Sequence, residues 1–329
     1  MNQKEDYSKY LKGKFPPKER FVERMKALIG EEETKNFFEI SYTQTPNSIR
    51  CNTLKISIDE LKERLKDYGW DVSQPYEEFP EIMIIDSTKP GEIGNSKEHL
   101  LGYFYVQEIS SMLPMLVLKP KDGDIILDLC ASPGSKTTQA AAMMRNGGTI
   151  FANEISMGRV GILNANLERC GVMNTIVTRK EGVAFCERIE KKSKLRFDKI
   201  LVDAPCSGEG TLRKSPKTLQ MWNEKMIGNI AGTQKKLSEA AIKLLKIGGE
   251  MVYSTCTLAP EENEMIVQNL LEKFNVELEE IKLPLKYREG ITGWEGRKMS
   301  DELKKCLRLY PQDNNTDGFF VAKLRKIGE

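Results

Sequence analysis

The pattern of apolar and polar residues differs between two parts of the chain, and it changes near residue 105. Residues 16–30 (PPKERFVERMKALIG) place apolar side chains at helical spacing after two prolines, and helical patterns run through residues 1–45. The following segments predict strands at 48–57, 77–87 and 102–108 and an amphipathic helix at 58–70. We therefore expect a small α+β module that ends near residue 105.

From residue 122 the pattern becomes a regular alternation of apolar runs and helical segments, which a helix at 108–118 leads into. Strands are predicted at 123–131, 148–154, 174–179, 197–204, 250–256, 276–281 and 317–326, the last as an edge strand. Helices are predicted at 135–144, 158–171, 183–192, 233–249 and 259–274. This alternation predicts an α/β fold with a doubly wound, mostly parallel, seven-stranded sheet, in which ligands bind beyond the carboxyl ends of the strands.

The predicted domains are a basic helical extension (1–45), a small α+β domain (46–105) and a large α/β domain (106–329). The whole chain has a net charge of only +2, but residues 1–26 hold eight Lys or Arg against four acids. A second basic cluster is LRKSPK at 212–217. Such stretches either face solvent or contact phosphates, and the candidates for phosphate contact are the first 26 residues with Arg213, Lys214 and Lys217.

The cysteine and histidine content argues against several functional classes. The seven cysteines form no CxxC pair and most lie in apolar runs, which indicates free thiols in a reducing compartment and disfavours a structural zinc site. His99 is the only histidine, so histidine-based metal sites and Ser-His-Asp triads are disfavoured. The sequence has neither an apolar leader nor an apolar run of eighteen residues. We expect a cytoplasmic protein with no membrane partner.

The first strand of the large domain ends in a tight turn, DLCASPGSKT (128–137), whose proline and glycine bring bare backbone close to a ligand. A nucleotide-phosphate loop is disfavoured because Leu129 and Ser135 stand where a Walker motif needs glycine and lysine, and G-x-G-x-x-G is missing as well. Glu154 ends the second strand, where a carboxylate either grips a ribose diol or caps the next helix. A carboxylate that binds ribose hydroxyls, in a chain without a phosphate-binding loop, suits S-adenosylmethionine, because this molecule has a ribose but no phosphate.

Two strand tips carry thiols. Asp203 and Cys206 leave the fourth strand and Cys256 leaves the fifth, so both thiols would face one cleft, although a lone cysteine in an apolar run is usually a small core residue. A thiolate that adds to C6 of cytosine makes C5 nucleophilic towards a methyl donor. A carboxylic acid at N3 stabilises the charge, and loss of the C5 proton then releases the thiolate. These residues alone leave open which thiol attacks.

Seven motifs in order resemble the Nop/Sun family of RNA cytosine-5 methyltransferases, most closely its compact archaeal tRNA-modifying members, over residues 48–327. The motifs are IRCNTLK (49–55), YVQEISSMLP (105–114), LDLCASPGSKT (127–137), ANEIS (152–156), DAPCSGEGT (203–211), YSTCTLAPEENE (253–264) and RLYPQDNNTDGFFVAKL (308–324). The resemblance implies a class I methyltransferase (Rossmann-like) fold with an RRM-like N-terminal domain. Because the aromatic RNP1 signature is missing, we expect that domain to bind RNA through phosphates and shape.

The resemblance also implies residue roles. The donor-binding residues are Cys130, Ala131, Ser132, Pro133, Gly134, Ser135, Lys136, Glu154, Arg159, Glu181 and Asp203. Among them, Lys136 projects into the active site, Glu154 binds the ribose hydroxyls, and Glu181 stands where the family commonly has the aspartate that approaches adenine. Asp203 lies between donor and base, Cys256 is the nucleophile and Cys206 assists product release.

These inferences predict an S-adenosylmethionine-dependent RNA cytosine-5 methyltransferase that acts on tRNA, needs no metal and works as a monomer without an obligate protein partner. Ribosomal RNA is the alternative substrate. The alternatives from other classes are a non-catalytic RNA-binding protein that keeps the fold and a thiol redox protein, which the lack of a CxxC pair disfavours.

Overall fold

The computed structural model of the chain describes residues 16–89 and 91–329. Residues 1–15, which hold much of the predicted basic stretch, lie outside the described residues. Within the described ranges, no helix is both long enough and apolar enough to cross a bilayer.

The first part of the described chain consists of five helices and a small antiparallel sheet. The helices are α1 (Glu19–Ile29), α2 (Glu31–Ser41), α3 (Ile58–Lys66), α4 (Glu92–Asn95) and α5 (Lys97–Leu100). The strands are β1 (Asn47–Cys51), β2 (Asp71–Ser73), β3 (Ile82–Asp86) and β4 (Phe104–Val106), in the order β2-β3-β1-β4. All neighbouring pairs are antiparallel. The predicted α+β pattern is present, and β2 is an additional strand of three residues.

The second part contains a nine-stranded mixed sheet with helices on both faces. Its helices are α6 (Ile109–Leu118), α7 (Ser135–Met143), α8 (Met157–Cys170), α9 (Gly182–Lys192), α10 (Thr218–Met221), α11 (Glu224–Lys243), α12 (Glu264–Lys273) and α13 (Pro311–Asn314). Its sheet strands are β5 (Ile125–Asp128), β6 (Thr149–Glu154), β7 (Thr175–Arg179), β8 (Phe197–Asp203), β9 (Leu245–Thr255), β10 (Val276–Glu279), β11 (Arg288–Glu289), β14 (Leu307–Leu309) and β15 (Phe319–Lys326). A separate hairpin joins β12 (Gly293–Trp294) to β13 (Arg297–Lys298).

The strand order is β11-β14-β15-β9-β8-β5-β6-β7, with β10 also beside β15. Strands β5 to β9 are mutually parallel, and the remaining pairs are antiparallel. The predicted fold class is confirmed. The described residues form nine sheet strands rather than seven because β11 and β14, of two and three residues, are too short to leave a periodic pattern.

Two predicted elements are corrected. Residues 317–326 were expected to form an edge strand, but β15 lies inside the sheet, between β9 on one side and β14 and β10 on the other. Its start, Phe319–Ala322, is a continuous buried apolar run, as an interior strand requires. The helix predicted at 233–249 ends at Lys243, and Leu245 already pairs with Phe197 in the sheet.

The sheet topology leaves a crevice at one edge of the molecule. From β5 the chain moves through β6 and β7 on one side and then returns to β8 on the other side of β5. Helices α6 and α7 pack in the core cluster on one face, and α11 and α12 pack in the cluster on the opposite face. The reversal of strand order next to β5 opens a cleft beyond the carboxyl ends of β5 and β8, where doubly wound proteins bind ligands.

Helices α1 and α2 pack on the large domain. The ring of Phe21 meets the ring of Trp222 edge-on, with the centroids 5.2 Å apart, and both belong to a core cluster that includes Tyr310. The described part of the predicted extension therefore shares a hydrophobic core with the α/β part of the chain. The predicted domain boundaries stay predictions.

Two arginines of α1 do not present the open cationic surface that the sequence predicted. Arg24 is buried, forms a two-pronged ion pair with Glu261 at 2.8 and 2.9 Å, and lies 5.0 Å from the ring of Trp294. Arg20 pairs with Glu224 at 2.9 Å and with Glu295 at 3.2 Å. These guanidinium groups already form ion pairs with carboxylates of the large domain, and the ion pairs hold α1 against that domain.

A buried ion pair joins β14 to α12. The Arg308 guanidinium donates to both carboxylate oxygens of Glu264, at 2.5 and 2.6 Å, and both side chains are almost completely excluded from solvent. Arg308 also donates to the carbonyl of Leu258, 3.0 Å away, in the segment that follows Cys256. The pair therefore fixes the chain just beyond one of the two predicted catalytic thiols.

We expect Arg308→Met to lower the free energy of unfolding by about 3–5 kcal/mol, because it leaves the Glu264 carboxylate buried without a counter-charge. Urea denaturation, with the slope checked for constancy, measures this loss. The double variant Arg308→Met/Glu264→Leu should recover much of it. A single variant that costs less than about 1 kcal/mol would contradict this account of the pair.

Candidate active site

Strands β8 and β9 pair in parallel and deliver the two predicted thiols to the same edge of the sheet. Asp203 lies opposite Ser254 in the register, and the Ala204 N–H donates to the Ser254 carbonyl at 2.9 Å. Each strand ends there, so the following turns carry Cys206 and Cys256 into the cleft. The structure thus places these two strands side by side, as the sequence analysis predicted.

The two thiols are in direct contact. The sulfur atoms of Cys206 and Cys256 are 3.0 Å apart, and both side chains are half-buried. The hydrogen bond between the thiols, with burial, raises the pKa of Cys206 well above the ordinary thiol value. Cys206 therefore stays protonated near neutral pH, and either thiol can donate the S–H hydrogen bond between them.

Asp203 lies beside these thiols and is held from two sides. The hydroxyl of Ser254 donates to one carboxylate oxygen at 2.8 Å, and the Lys136 ammonium contacts the other at 2.7 Å. Lys136 also donates to the hydroxyl of Ser111 at 3.0 Å and lies 5.6 Å from the ring centre of Phe319. The carboxylate is thus part of an ion pair with a fixed orientation.

Two cavities meet at these residues. The first has a volume of about 330 Å³ and extends along the tips of β5, β6 and β8. The second has a volume of about 310 Å³ and extends towards α6 and the start of β15. Asp203, Ala204 and Cys256 line both cavities. A molecule in one cavity therefore reaches a molecule in the other at this shared wall.

The turn after β5 separates the two cavities. Cys130 and Ser132 line the first cavity, whereas Pro133, Ser135 and Lys136 line the second. Ala131 and Gly134 support the turn from within, since the Gly134 N–H donates to the Ala131 carbonyl at 2.8 Å. Gly134 has φ of 104°, and a side chain there would press on Leu163, so the turn requires glycine.

Arg159 locks this turn from helix α8. Its guanidinium donates to the Ser132 carbonyl at 2.7 Å, and the hydroxyl of Ser132 donates back to the Arg159 carbonyl at 2.9 Å. The side chain of Arg159 also lies 3.5 Å from the Glu154 carboxylate. Arg159 is therefore a wall residue of the first cavity that connects the turn to the tip of β6.

Two glutamates of the first cavity also bond to nearby backbone. Glu154 accepts from the Ser156 N–H at 2.9 Å. Glu181 caps helix α9 by accepting from the N–H groups of Val183 and Ala184, at 3.1 and 2.8 Å. Each carboxylate has more acceptor positions than these bonds use, and both residues line the cavity, so capping and ligand binding are compatible.

Known families and structures match this chain over most of its length. The family described as 16S rRNA methyltransferase RsmB/F matches residues 115–325, and the N-terminal domain of 16S rRNA methyltransferase RsmF matches residues 17–109. The chain belongs to the RsmB/F methyltransferase family. Members of this family are S-adenosylmethionine-dependent RNA methyltransferases.

Relatives of this RsmB/F-family chain include tRNA and rRNA enzymes. It is 42% identical to the tRNA (cytosine(49)-C(5))-methyltransferase of Pyrococcus abyssi, over 99% of each chain. It is 40% identical to the ribosomal RNA small subunit methyltransferase F of Vibrio campbellii, over 94% of this chain but only 63% of that relative. The resemblance to RNA methyltransferases is thereby confirmed.

Solved structures share the whole fold. A methyltransferase homolog protein from Pyrococcus horikoshii superposes with a TM-score of 0.82 at 37% identity, covering 94% of this chain and 95% of that one. NSun6 from Pyrococcus horikoshii, solved with the S-adenosylmethionine analogue SFG, has the same TM-score at 27% identity and covers 95% of this chain and 99% of that one. The class I methyltransferase fold of this family member is thereby shown.

Several site residues of this RsmB/F-family chain received no role from the sequence. Ser111, Ser254 and Phe319 surround Lys136 and Asp203, and each lies inside a motif that the sequence analysis quoted. Their strand or helix positions were predictable, but their contacts join segments that are 25, 51 and 183 residues apart along the chain. Within residues 16–89 and 91–329, no group of three or more His, Cys, Asp or Glu side chains is arranged to hold a metal ion.

Glu262 is a further group that the sequence analysis did not assign. It is fully buried behind the turn of Cys206, where it accepts from the Ser207 N–H at 3.0 Å and from the side-chain amide of Gln234 at 2.8 Å. Burial raises its pKa to about 7. The folded protein therefore binds a proton at Glu262 more tightly than the unfolded chain does, and this stabilisation is lost as the pH rises from about 4.5 towards 7.

We expect Glu262→Gln to flatten the pH dependence of stability in that window. The wild type should lose up to about 3 kcal/mol of stability between pH 4.5 and 7 through this group, and the permanently neutral glutamine should not. Urea unfolding of both proteins at several pH values measures the difference. The exposed control Glu280→Gln should follow the wild type, and parallel curves for wild type and Glu262→Gln would contradict the assignment.

Proposed function

We propose that this chain transfers a methyl group to carbon 5 of a cytosine in tRNA through a covalent bond between Cys256 and carbon 6 of the base. The observation that carries the proposal is the contact between Cys256, which lines both cavities, and Cys206, which lines the first, with their sulfur atoms 3.0 Å apart. Two adjacent cavities suit a reaction between two bound molecules, and an addition–elimination route to carbon 5 uses both thiols.

The first cavity fits S-adenosylmethionine. Carboxylates at the tips of β6 and β7, Glu154 and Glu181, suit the ribose hydroxyls and the adenine amine, and the turn at Ser132–Pro133 offers no phosphate-binding loop. When bound there, S-adenosylmethionine supplies the methyl group. Asp203 and Cys130 line the same cavity towards the shared wall.

The second cavity receives the target cytosine. The Cys256 thiol gives its proton to solvent water and its sulfur bonds to carbon 6, so the π electrons of the C5–C6 double bond shift towards N3. Lys136 and Asp203 form the proton-donating pair that balances the charge at N3. After methylation a solvent water accepts the C5 proton, the C5–C6 double bond re-forms and the sulfur of Cys256 departs as a thiolate, while the N3 proton returns to the Lys136–Asp203 pair. The S–H group of Cys206 donates a hydrogen bond to that departing sulfur.

A tRNA substrate is favoured over ribosomal RNA by the extent of the match. The tRNA methyltransferase of Pyrococcus abyssi is covered from end to end, whereas the small-subunit rRNA methyltransferase of Vibrio campbellii has about a third of its length beyond the matched region. Ribosomal RNA is the second candidate, and the RsmB/F family description favours it.

The target base has to leave its stack to reach Cys256, because both cavities lie below the surface of the cleft. The small sheet of β1 to β4 and the exposed Lys217 are the proposed RNA-binding surface. Arg213 has another role, since it donates to the Thr43 hydroxyl and to the side-chain amide oxygen Oδ1 of Asn315, both at 2.8 Å, and so binds other parts of the protein. We further propose that the enzyme acts as a cytoplasmic monomer.

Cys256→Ala should lower methyl transfer to tRNA by about 10⁴-fold or more, because it removes the nucleophile. Bisulfite sequencing of tRNA and rRNA, incubated with the protein and S-adenosylmethionine, measures both the activity and the modified position. The exposed control Glu280→Gln should retain wild-type activity. Full turnover by Cys256→Ala would refute the nucleophile, and methylation confined to rRNA would refute the tRNA preference.

Cys206→Ala should accumulate a covalent protein–RNA adduct, because the departing sulfur of Cys256 loses its hydrogen-bond donor. A denaturing gel shows such an adduct as a band of reduced mobility that protease removes. The double variant Cys206→Ala/Cys256→Ala should show no such band. An adduct that forms in Cys256→Ala instead would reverse the two roles.

A further inference from the structure

The mouth of the second cavity is marked by the exposed residues of its lining. Among the described residues that line this cavity, Val106, Pro133 and Lys214 are exposed, and the others are buried or half-buried. Val106 and Pro133 are apolar, so Lys214 is the charged group at the mouth. Its side chain is 45% exposed. A molecule that enters the cavity from solvent therefore comes close to this ammonium group.

We propose that this mouth is a phosphate-binding subsite, in which Lys214 binds the phosphate on the 5′ side of the target cytidine. This inference rests on the proposed function. In an anti pyrimidine nucleotide, the C6 edge of the base lies beside O5′ of the ribose and hence close to the 5′ phosphate. Because the sulfur of Cys256 bonds to carbon 6, the 5′ phosphate is the nearer of the two phosphates to Cys256. Lys214 and Cys256 line the same cavity, so a cation lies at the entrance that this phosphate approaches.

Backbone hydrogen bonds hold the turn of Lys214 next to the nucleophile. The Gly210 N–H donates to the Cys256 carbonyl at 3.0 Å, and the Lys214 N–H donates to the Thr211 carbonyl at 3.0 Å. The Gly318 N–H donates to the Gly210 carbonyl at 2.9 Å, and a side chain at Gly210 would collide with the Gly318 carbonyl. Lys214 is therefore separated from Cys256 by one tight, anchored turn.

Asp317 holds the ammonium group of Lys214 at the mouth without enclosing it. The ammonium nitrogen lies 2.8 Å from Oδ2 of Asp317, whose own side chain is only 5% exposed. An ammonium group has three donor hydrogens, and Asp317 is the one carboxylate that pairs with it among the described residues. Two donors thus remain for a phosphate. The ion pair also restricts a long side chain beforehand, which lowers the entropy that binding costs.

Arg50 adds a positive charge behind the wall of this cavity. It is buried, and its guanidinium donates to the carbonyl of Ser135, which lines the cavity, and to the Thr138 hydroxyl, both at 2.8 Å. The two lysines of the lining are each paired with a carboxylate, whereas Arg50 forms no ion pair within residues 16–89 and 91–329. Burial and the adjacent Asp317 raise the pKa of Glu108, which favours its neutral form. The charge of Arg50 is therefore in excess and attracts an anion.

Single neutral linkages test the subsite. The RNA substrate, identified by bisulfite sequencing, is assembled by ligation so that one uncharged methylphosphonate replaces the phosphate on the 5′ or the 3′ side of the methylated cytidine. At subsaturating RNA, the neutral 5′ linkage should slow methyl transfer by the wild type roughly 10- to 30-fold. Lys214→Gln, whose amide can still donate to Asp317, should be slowed to a similar extent on unmodified RNA. The neutral 5′ linkage should then slow this variant by less than about threefold more, because the two changes remove the same contact.

Lys217→Gln and the neutral 3′ linkage are the matched controls. Lys217 is exposed in the same basic cluster, so its effect and that of the 5′ linkage should multiply. The neutral 3′ linkage should slow the wild type and Lys214→Gln by the same factor. Lys214→Arg, which keeps the charge, should stay sensitive to the 5′ linkage, a result that a merely structural role of Lys214 does not require.

A wild type that tolerates the neutral 5′ linkage would overturn the inference. So would effects of Lys214→Gln and the 5′ linkage that multiply in full, coupling of Lys214 to the 3′ linkage instead, or a Lys214→Arg variant that has lost its sensitivity to the 5′ linkage. No methylation of any unmodified RNA by the wild type would instead refute the proposed function, and the inference with it.

Discussion

The site depends on one constraint, the parallel pairing of β8 and β9 in a fixed register. That register places Asp203 opposite Ser254, and the hydroxyl of Ser254 then orients the carboxylate. The same pairing ends both strands at one edge, which brings Cys206 within 3.0 Å of Cys256. A shift of the β8–β9 register by one residue would turn these side chains to the opposite face of the sheet. The backbone hydrogen bonds that fix the register therefore determine which side chains meet in the site.

Charge at the shared wall is arranged around a single lysine. The side chain of Lys136 is buried, and its ammonium group lies 2.7 Å from the Asp203 carboxylate. The same ammonium group donates a second hydrogen bond to the hydroxyl of Ser111. The ring of Phe319 closes the remaining side. Lys136 lines the second cavity, and its ion-pair partner Asp203 lines both cavities. The long side chain of Lys136 is shielded from water. The Lys136 ammonium is therefore held in a fixed position, where it is preorganised to balance negative charge that develops on a molecule bound beside it.

The sequence predicted those features that depend on local pattern. The alternation of apolar runs and helices predicted the doubly wound, mostly parallel sheet, and the strand tips indicated Asp203, Cys206 and Cys256. Features that depend on distant contacts were not predictable. The interior place of β15 depends on β14 and β10, and the partners of Arg24 and Arg213 lie more than a hundred residues away along the chain. Composition alone made these arginines look like an RNA-binding surface.

The close contact of Gly210 with Gly318 has a consequence for how the enzyme is made. Asp317 and Phe319 line the second cavity, and the strand that carries Phe319 is inserted between β9 and β14. A nascent chain that has emerged only as far as Cys256 contains both thiols but lacks one wall of the cavity. Its folding must join segments far apart in sequence, which is slow. The second cavity is therefore complete only after the segment that carries Asp317 and Phe319 has joined β9.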